Sequence, residues 1–277
     1  MIRKSERVTL GLGYPLVFFS ESGYPCRIVH TQDLSQLPPT RLPLSHPDYR
    51  YSVSRNPYQS KVRGLEGRVY SDNDSETYRG HWRERFVGAA AAPQARRPLH
   101  VEIGCNAGHV VVEWAARAPG TAYIGLDWKF KPVFRGAEKA SKRGIGNLLF
   151  LRAHADRINY MFGPGEIDFL ALYFPDPWAK KSQLKNRWLT ADRLRQVAEL
   201  LPAGGVFHIK TDHLGYFTWM EDAISKVLDL WEPFELTHDL HVHHPAPQSL
   251  KCPDVTLFES LFIKDGIKIN SVKLRRR

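Results

Sequence analysis

The run Phe174-Pro-Asp-Pro-Trp178 presents one carboxylate, Asp176, between two prolines. Each proline fixes its own φ and restricts the residue before it, so the acid is carried by a stiff backbone. Cations follow at once: Lys180, Lys181, Lys185 and Arg187. An acid held in place can accept hydrogen bonds or offset a growing positive charge. The cations beside it suit a large anionic ligand whose phosphates they would grip. The preceding apolar run, Ile167 to Phe174, reads as a buried strand. That places Asp176 at the C-terminal edge of a parallel sheet, where open α/β folds bind ligands.

A second constellation is Val101-Glu-Ile-Gly-Cys-Asn-Ala-Gly108. Gly104 and Gly108 let a ligand approach the backbone at a helix N-terminus. Many nucleotide folds share such a loop, but Glu102 discriminates, because a carboxylate beside it disfavours a diphosphate and tolerates a cation. Asp127 ends the next apolar run, where an acid can take both hydroxyls of a ribose. A plainer reading stays open, in which Glu102 and Asp127 are helix-capping or solvated acids.

The elements that position these groups alternate from Leu99 onward. Strands are expected at 100–103, 122–126, 147–151, 167–174 and 206–211. Helices are expected at 108–117, 130–142, 157–162, 191–201 and 214–230. A further helix is expected at 256–264, capped by Gly266, and a last strand at 267–273. Strands alternating with helices imply an α/β fold, a doubly wound and mostly parallel sheet with helices on both faces.

Residues 1–98 have a different texture. They hold nine of the 19 prolines, and 15 basic against 9 acidic residues give them +6 of the net charge of +10. Short strands are expected at 10–20 and 25–30. Pro38, Pro39, Pro43, Pro47 and Pro57 exclude a long helix between Leu34 and Pro57. Glu76 to Phe86 is expected to be a helix with Tyr78, Trp82 and Phe86 on one face. The segment is expected to be a partly ordered basic extension, with the main domain at 99–277.

The composition, 43% hydrophobic and 25% charged, is that of a globular chain. No apolar stretch approaches the ~20 residues of a membrane span, and Met1 to Leu10 lack the long apolar segment of a secretory leader. Cys26, Cys105 and Cys252 are odd in number and far apart, which fits a reducing cytosol and neither a disulfide framework nor a zinc spacing. The positive excess favours a polyanionic partner such as nucleic acid.

Together, the glycine loop, Glu102 and Asp127 resemble class I S-adenosylmethionine-dependent methyltransferases, which have a Rossmann-like fold. Phe174-Pro-Asp-Pro-Trp178, Lys180-Lys181, Lys185 and Arg187, Gly204-Gly-Val-Phe-His-Ile-Lys-Thr-Asp212 and Thr256-Leu-Phe-Glu259 narrow this. They resemble the tRNA (guanine-N7)-methyltransferase family over roughly 99–273. The resemblance implies S-adenosylmethionine as cofactor and tRNA as partner. It implies that Gly104, Asn106 and Gly108 line the cofactor loop beside Glu102, and that Asp127 holds the ribose. The positions after the third strand, His154 and Ala155, would face the adenosine. Asp176 would be catalytic, Lys180 and Asp212 substrate contacts, and Thr256 through Glu259 would close over the target base. Lys185 and Arg187 would hold phosphates, and Trp178 would stack on a base or pack in its loop. A monomer, a homodimer or a complex with a helper subunit all fit.

Three positions depart from the family pattern. Asn106 replaces a glycine, His154 an Asp or Asn, and Gln183 a histidine. Asn tolerates left-handed backbone, and His154 can hydrogen-bond through a ring nitrogen or yield its place to Asp156. Two rivals follow: a degenerate relative that binds RNA without methylating it, and a methyltransferase for an exocyclic amine. His238, His241, His243 and His244 read as a His-rich loop or strand end, without metal. Cys105 has no apparent base partner and is not expected to be a nucleophile.

Overall fold

Apolar strands alternating with helices build one sheet covered on both faces. The computed structural model describes residues 38–49, 56–65, 67–71, 74–86, 96–243 and 255–277. In chain order the elements are α1 (Pro57–Arg63), β1 (Val69–Ser71), β2 (Leu99–Ile103), α2 (Val111–Arg117), β3 (Ala122–Asp127), α3 (Phe130–Lys142), β4 (Leu148–Arg152), α4 (Ile158–Met161), β5 (Phe169–Tyr173), α5 (Ala191–Leu200), β6 (Val206–Thr211), α6 (Leu214–Ser225), β7 (Trp231–Thr237), α7 (Leu240–His243), α8 (Leu257–Lys264) and β8 (Asn270–Arg276). The strands lie in the order β1-β4-β3-β2-β5-β6-β8-β7. Pairings from β1 to β6 are parallel, and β8 runs antiparallel to both β6 and β7. This is the Rossmann-like, mostly parallel sheet expected from the alternation.

Chain order reverses between β2 and β5, which pair with Ile103 opposite Leu172. The loops that follow these two strands therefore emerge side by side, at the topological switch point. The first is the glycine loop; the second carries Asp176.

Two apolar cores lie on the two faces. Val101, Ile124, Leu151, Leu170 and Ile209 point to the core that also holds Val197 of α5 and Phe217 of α6. Tyr123, Leu148 and Phe150 point to the other, with Val111 of α2 and Val133 of α3. Phe150 fills space that three glycines leave. A Cβ added at Gly136 would stand 2.6 Å from its ring, at Gly125 2.9 Å, and at Gly108 3.2 Å. The absence of three methyl groups lets α3 and the glycine loop close on the sheet. Among the described residues no helix is long and apolar enough to cross a membrane.

Several boundaries differ from expectation. Glu76 to Phe86 is not a helix but turns followed by a 3-10 turn at Trp82–Arg85. Gly80, at φ 84°, interrupts it. Its aromatics still serve the core: Trp82 and Phe86 are buried, Tyr78 packs against them, and Trp82 Nε1 donates to the Met161 carbonyl at 2.7 Å. Helix α6 stops at Ser225, and turns carry the chain into β7, a strand that Pro233 disguises. Pro233 is tolerated because β7 is the edge strand. The last strand starts at Asn270, three residues later than expected. Strand β1 extends the sheet beside β4, so the described residues between 57 and 86 pack on the same unit, which spans Pro39 to Arg277. The strands expected at 10–20 and 25–30 lie outside the described residues.

Candidate active site

The glycine loop is shaped by three left-handed residues: Gly104 at φ 73°, Asn106 at 48° and Gly108 at 66°. Asn106 thus adopts the conformation that a glycine would, at a small cost for this side chain. Gly104 and Cys105 N–H groups donate to the Leu126 carbonyl at 2.7 and 3.1 Å, which stitches the loop to β3. The Asp127 carboxylate accepts from Asn106 N–H at 3.1 Å and from Lys129 N–H at 2.8 Å. Burial raises its pKa against those hydrogen bonds. A carboxylate has room for more than two donors, so Asp127 shapes the loop and keeps acceptor capacity.

Glu102, at the end of β2, is 4% exposed and accepts from Val111 N–H of α2 at 3.1 Å. Burial pushes its pKa up to about 8, opposed by that hydrogen bond. A buried acid of this kind is poised to ionise beside a cation. Cys105 is buried, and burial raises its thiol well above the ordinary range, so it stays protonated.

Across the switch point, Phe174 and Trp178 have positive φ, 52° and 43°. Phe174 N–H donates to the Lys210 carbonyl of β6 at 2.8 Å. Asp176 is exposed between them. Helix α8 forms the third wall. Thr256 caps it, its hydroxyl accepting from Glu259 N–H at 3.0 Å, while Glu259 Oε2 accepts from Thr256 N–H at 3.2 Å. This capping box satisfies donors at the helix start. A cleft of about 330 Å³ lies between the walls, lined by Glu102, Gly104, Asn106, Asp127, Asp176 and Thr256 among others.

Residues 96–270 match the family model described as putative methyltransferase. A tRNA (guanine-N(7)-)-methyltransferase of Bdellovibrio bacteriovorus is 33% identical over 201 residues, 72% of this chain and 90% of the relative. The chain belongs to the tRNA (guanine-N7)-methyltransferase family. A second relative of that name, from Brevibacillus brevis, is 29% identical and covers 71% of this chain and 86% of its own. A solved structure of the 16S rRNA methyltransferase KamB has a TM-score of 0.49 at 15% identity, covering 75% of this chain and 95% of that one.

Not every residue expected in a tRNA (guanine-N7)-methyltransferase site reaches the cleft. Gly108 is not among the residues that line it, and a Cβ added there would meet Val112 and Phe150. His154 instead starts a 3-10 turn, its Nδ1 accepting from Asp156 N–H at 3.2 Å, with its ring near Trp128. Ala155 packs against the core behind it. Asp156 is no substitute for His154, because Arg41 and Arg193 hold its carboxylate at 2.7 and 3.0 Å. Glu259 is corrected from substrate contact to internal anchor: it is fully buried, and its carboxylate meets Lys210, Thr256 and His241. Arg187 is likewise buried, donating from Nε to the Pro177 carbonyl at 2.9 Å. Lys180, Lys181 and Lys185 are exposed, Lys181 and Lys185 on the 3-10 turn Lys181–Asn186, and half-buried Asp212 directly follows β6.

The cleft also holds residues that the sequence did not single out, His109, Trp128, Lys129 and Pro132, beside Phe258 of the expected Thr256–Glu259 segment. Trp128 and Phe258 are 54% and 50% exposed, two apolar residues that line the cleft. Exposed aromatics next to an acidic loop end carry no periodic signal, but Trp128 directly follows Asp127, and that adjacency was the available clue. Two of the histidines expected to be structural have acidic partners. His238 lies 3.3 Å from Glu221, and His241 lies 3.1 Å from Glu259. His244 lies outside the described residues.

Proposed function

We propose that this chain transfers a methyl group from S-adenosylmethionine to N7 of a guanine in the variable loop of tRNA. Membership of the tRNA (guanine-N7)-methyltransferase family carries the reaction, and one observation carries the assignment of roles. Asp176 shares a single cleft with Glu102 and Asp127. The donor fits the residues present. Glu102 is a buried acid that a cationic ligand would ionise, and Asp127 has spare acceptor capacity for two hydroxyls. Gly104, Asn106 and Asp127 would hold the rest of the donor. When bound, S-adenosylmethionine supplies an electrophilic methyl group on a sulfonium.

The chain's own task is alignment and charge. Guanine N7 carries a free lone pair at neutral pH, so no base need remove a proton first. The product ring becomes cationic, and a carboxylate beside it lowers the barrier. The side-chain oxygens of Asp176 can accept from guanine N1–H and the 2-amino group. Lys180, Lys181 and Lys185 would hold tRNA phosphates, and Asp212 at the same sheet edge would be a further substrate contact. Residues 99–277 would carry the methyl-transfer site, in a cytoplasmic protein, with the basic extension adding RNA contacts.

The test is incubation of the purified chain with unmodified bulk tRNA and labelled S-adenosylmethionine, followed by nucleoside analysis and mapping. Label in 7-methylguanosine of the variable loop is expected. Label in an exocyclic-amine product would replace the acceptor, and cofactor binding without transfer would make the chain a degenerate relative.

A further inference from the structure

The loop that carries Asp176 is not one that ordinary backbone preference would hold still. Two bulky residues, Phe174 and Trp178, sit in left-handed conformations. Such residues persist only where the surroundings over-determine them. The entry to the loop is fixed by the hydrogen bond from Phe174 N–H to the Lys210 carbonyl. Its exit is held by a side chain ten positions beyond Pro177, Arg187, whose Nε donates to the Pro177 carbonyl at 2.9 Å.

Arg187 is 8% exposed. Its guanidinium carbon stands 4.8 Å from the Tyr216 ring centroid and 5.2 Å from that of Trp219, both on α6. The same two rings hold the chain just past it. The Tyr216 hydroxyl accepts from Leu189 N–H at 3.2 Å, and Trp219 Nε1 donates to the Leu189 carbonyl at 3.0 Å. A planar guanidinium between aromatic faces has its Nε direction set by stacking, which an ammonium cannot reproduce. Phosphate-gripping cations are solvent-facing, as Lys180 and Lys185 are; Arg187 is turned inward to the loop.

We propose that Arg187 is a positioning residue of the methyl transfer. It clamps the Pro177 carbonyl to α6 and so fixes Asp176 at the cleft, and it does not contact tRNA phosphate. The assignment rests on Asp176 acting on the guanine, as argued above.

The test uses the full chain and four variants: Arg187→Met, Arg187→Lys, Asp176→Asn, and Arg187→Met with Asp176→Asn. Three quantities are read: amide hydrogen exchange in the 174–186 peptide, turnover at saturating tRNA, and tRNA affinity against salt. Arg187→Met is expected to raise exchange in that peptide while the sheet peptides keep wild-type protection. Turnover should fall about 10- to 100-fold through lost alignment. The salt slope should not change, because no counterion-releasing contact is lost. On the Asp176→Asn background Arg187→Met should cost less than about threefold more, since residues acting through one group are not additive. Should Arg187→Met lose protection everywhere, Arg187→Lys decides: a clamp loses turnover with Lys, whereas a phosphate contact keeps both turnover and slope.

A salt slope lower by about one with saturating turnover intact would overturn the proposal. So would a multiplicative double variant, or unchanged exchange in the loop. If the wild-type chain methylates no tRNA, the proposed function fails on that result alone. The exchange measurement then still decides whether Arg187 holds the loop.

Discussion

The ammonium of Lys210 lies 3.2 Å from both carboxylate oxygens of Glu259, and the two side chains are 5% and 0% exposed. The pair joins the end of β6 to the first turn of α8. Leu257 and Phe258, on that same turn, line the cleft. Lys210 is also 4.9 Å from the centroid of Tyr173, and its carbonyl receives Phe174 N–H. One residue thus touches both the roof of the cleft and the root of the Asp176 loop.

A buried pair adds little net stability, but removing Lys210 leaves the Glu259 carboxylate fully buried without its ammonium partner, beside Thr256 N–H and His241. Lys210→Met is therefore expected to cost about 3–5 kcal/mol. The double variant Lys210→Met with Glu259→Leu should recover most of this, short of ~1 kcal/mol for the lost helix cap. Lys226→Met, which breaks an exposed pair with Asp222, should cost less than about 1 kcal/mol. Urea unfolding measures all three. A Lys210→Met cost no larger than that of Lys226→Met would show that the pair does not hold α8.

Asp176→Asn keeps the shape of the side chain and removes its charge. Turnover at saturating tRNA is expected to fall about 100-fold or more, as when a key electrostatic group is lost. Affinity for tRNA should stay close to wild type if, as proposed, the exposed lysines hold the phosphates. Wild-type turnover in this variant would remove Asp176 from the mechanism.

Glu102 gives a pH signature. Its folded pKa of about 8 lies above the ordinary 4.5, so the native chain holds this proton more tightly than the unfolded one. The stability linked to it is fully present below 4.5 and is lost as pH rises towards about 8. Glu102→Gln should flatten that part of the urea-unfolding profile. Binding of the cationic donor favours the ionised acid, so near pH 7 it should release a proton. Calorimetry in buffers of different ionisation enthalpy reads that release. Equal proton release by Glu102→Gln would assign it elsewhere.

The parts legible in the sequence were those fixed by local chemistry. Two prolines around Asp176, and glycines or an Asn where φ is positive, are constraints that a short window contains. The parallel sheet with Asp176 at its C-terminal edge followed from the strand–helix alternation, whereas the place where strand order reverses, between β2 and β5, came only with the structure. What stayed hidden depends on partners far along the chain. Glu259 looks like a surface acid on a helix until β6 brings Lys210 beneath it. Arg187 belongs by its neighbours to a basic run, yet Tyr216 and Trp219 draw it inside. Strand β7 was masked by Pro233, which only an edge position tolerates. The helix expected at Glu76 to Phe86 had the right buried residues and the wrong backbone, because burial of Trp82 and Phe86 does not need helical spacing.

The contact between Gly136 and Phe150 sets two effects against each other. Gly136 lies inside α3 with no positive φ, so Ala there improves helix propensity by about 1 kcal/mol. The new Cβ would stand 2.6 Å from Cε1 and 2.7 Å from Cζ of a fully buried ring. Overpacking of that kind costs about 1–3 kcal/mol, and a ring enclosed by Gly108, Gly125 and Gly136 has little room to move. Sterics should win, so Gly136→Ala is expected to destabilise despite the better helix former. The ring also packs beside Gly108 at the end of the glycine loop, so, with that loop holding the donor as proposed, donor affinity should weaken with stability. Phe150→Leu removes the ring atoms in conflict. It costs stability alone, through the cavity it leaves, but on the Gly136→Ala background it should cost less or even restore. Denaturant midpoints of the four proteins of this cycle give the coupling. Additive values would mean that Phe150 does not set the spacing between α3 and the sheet.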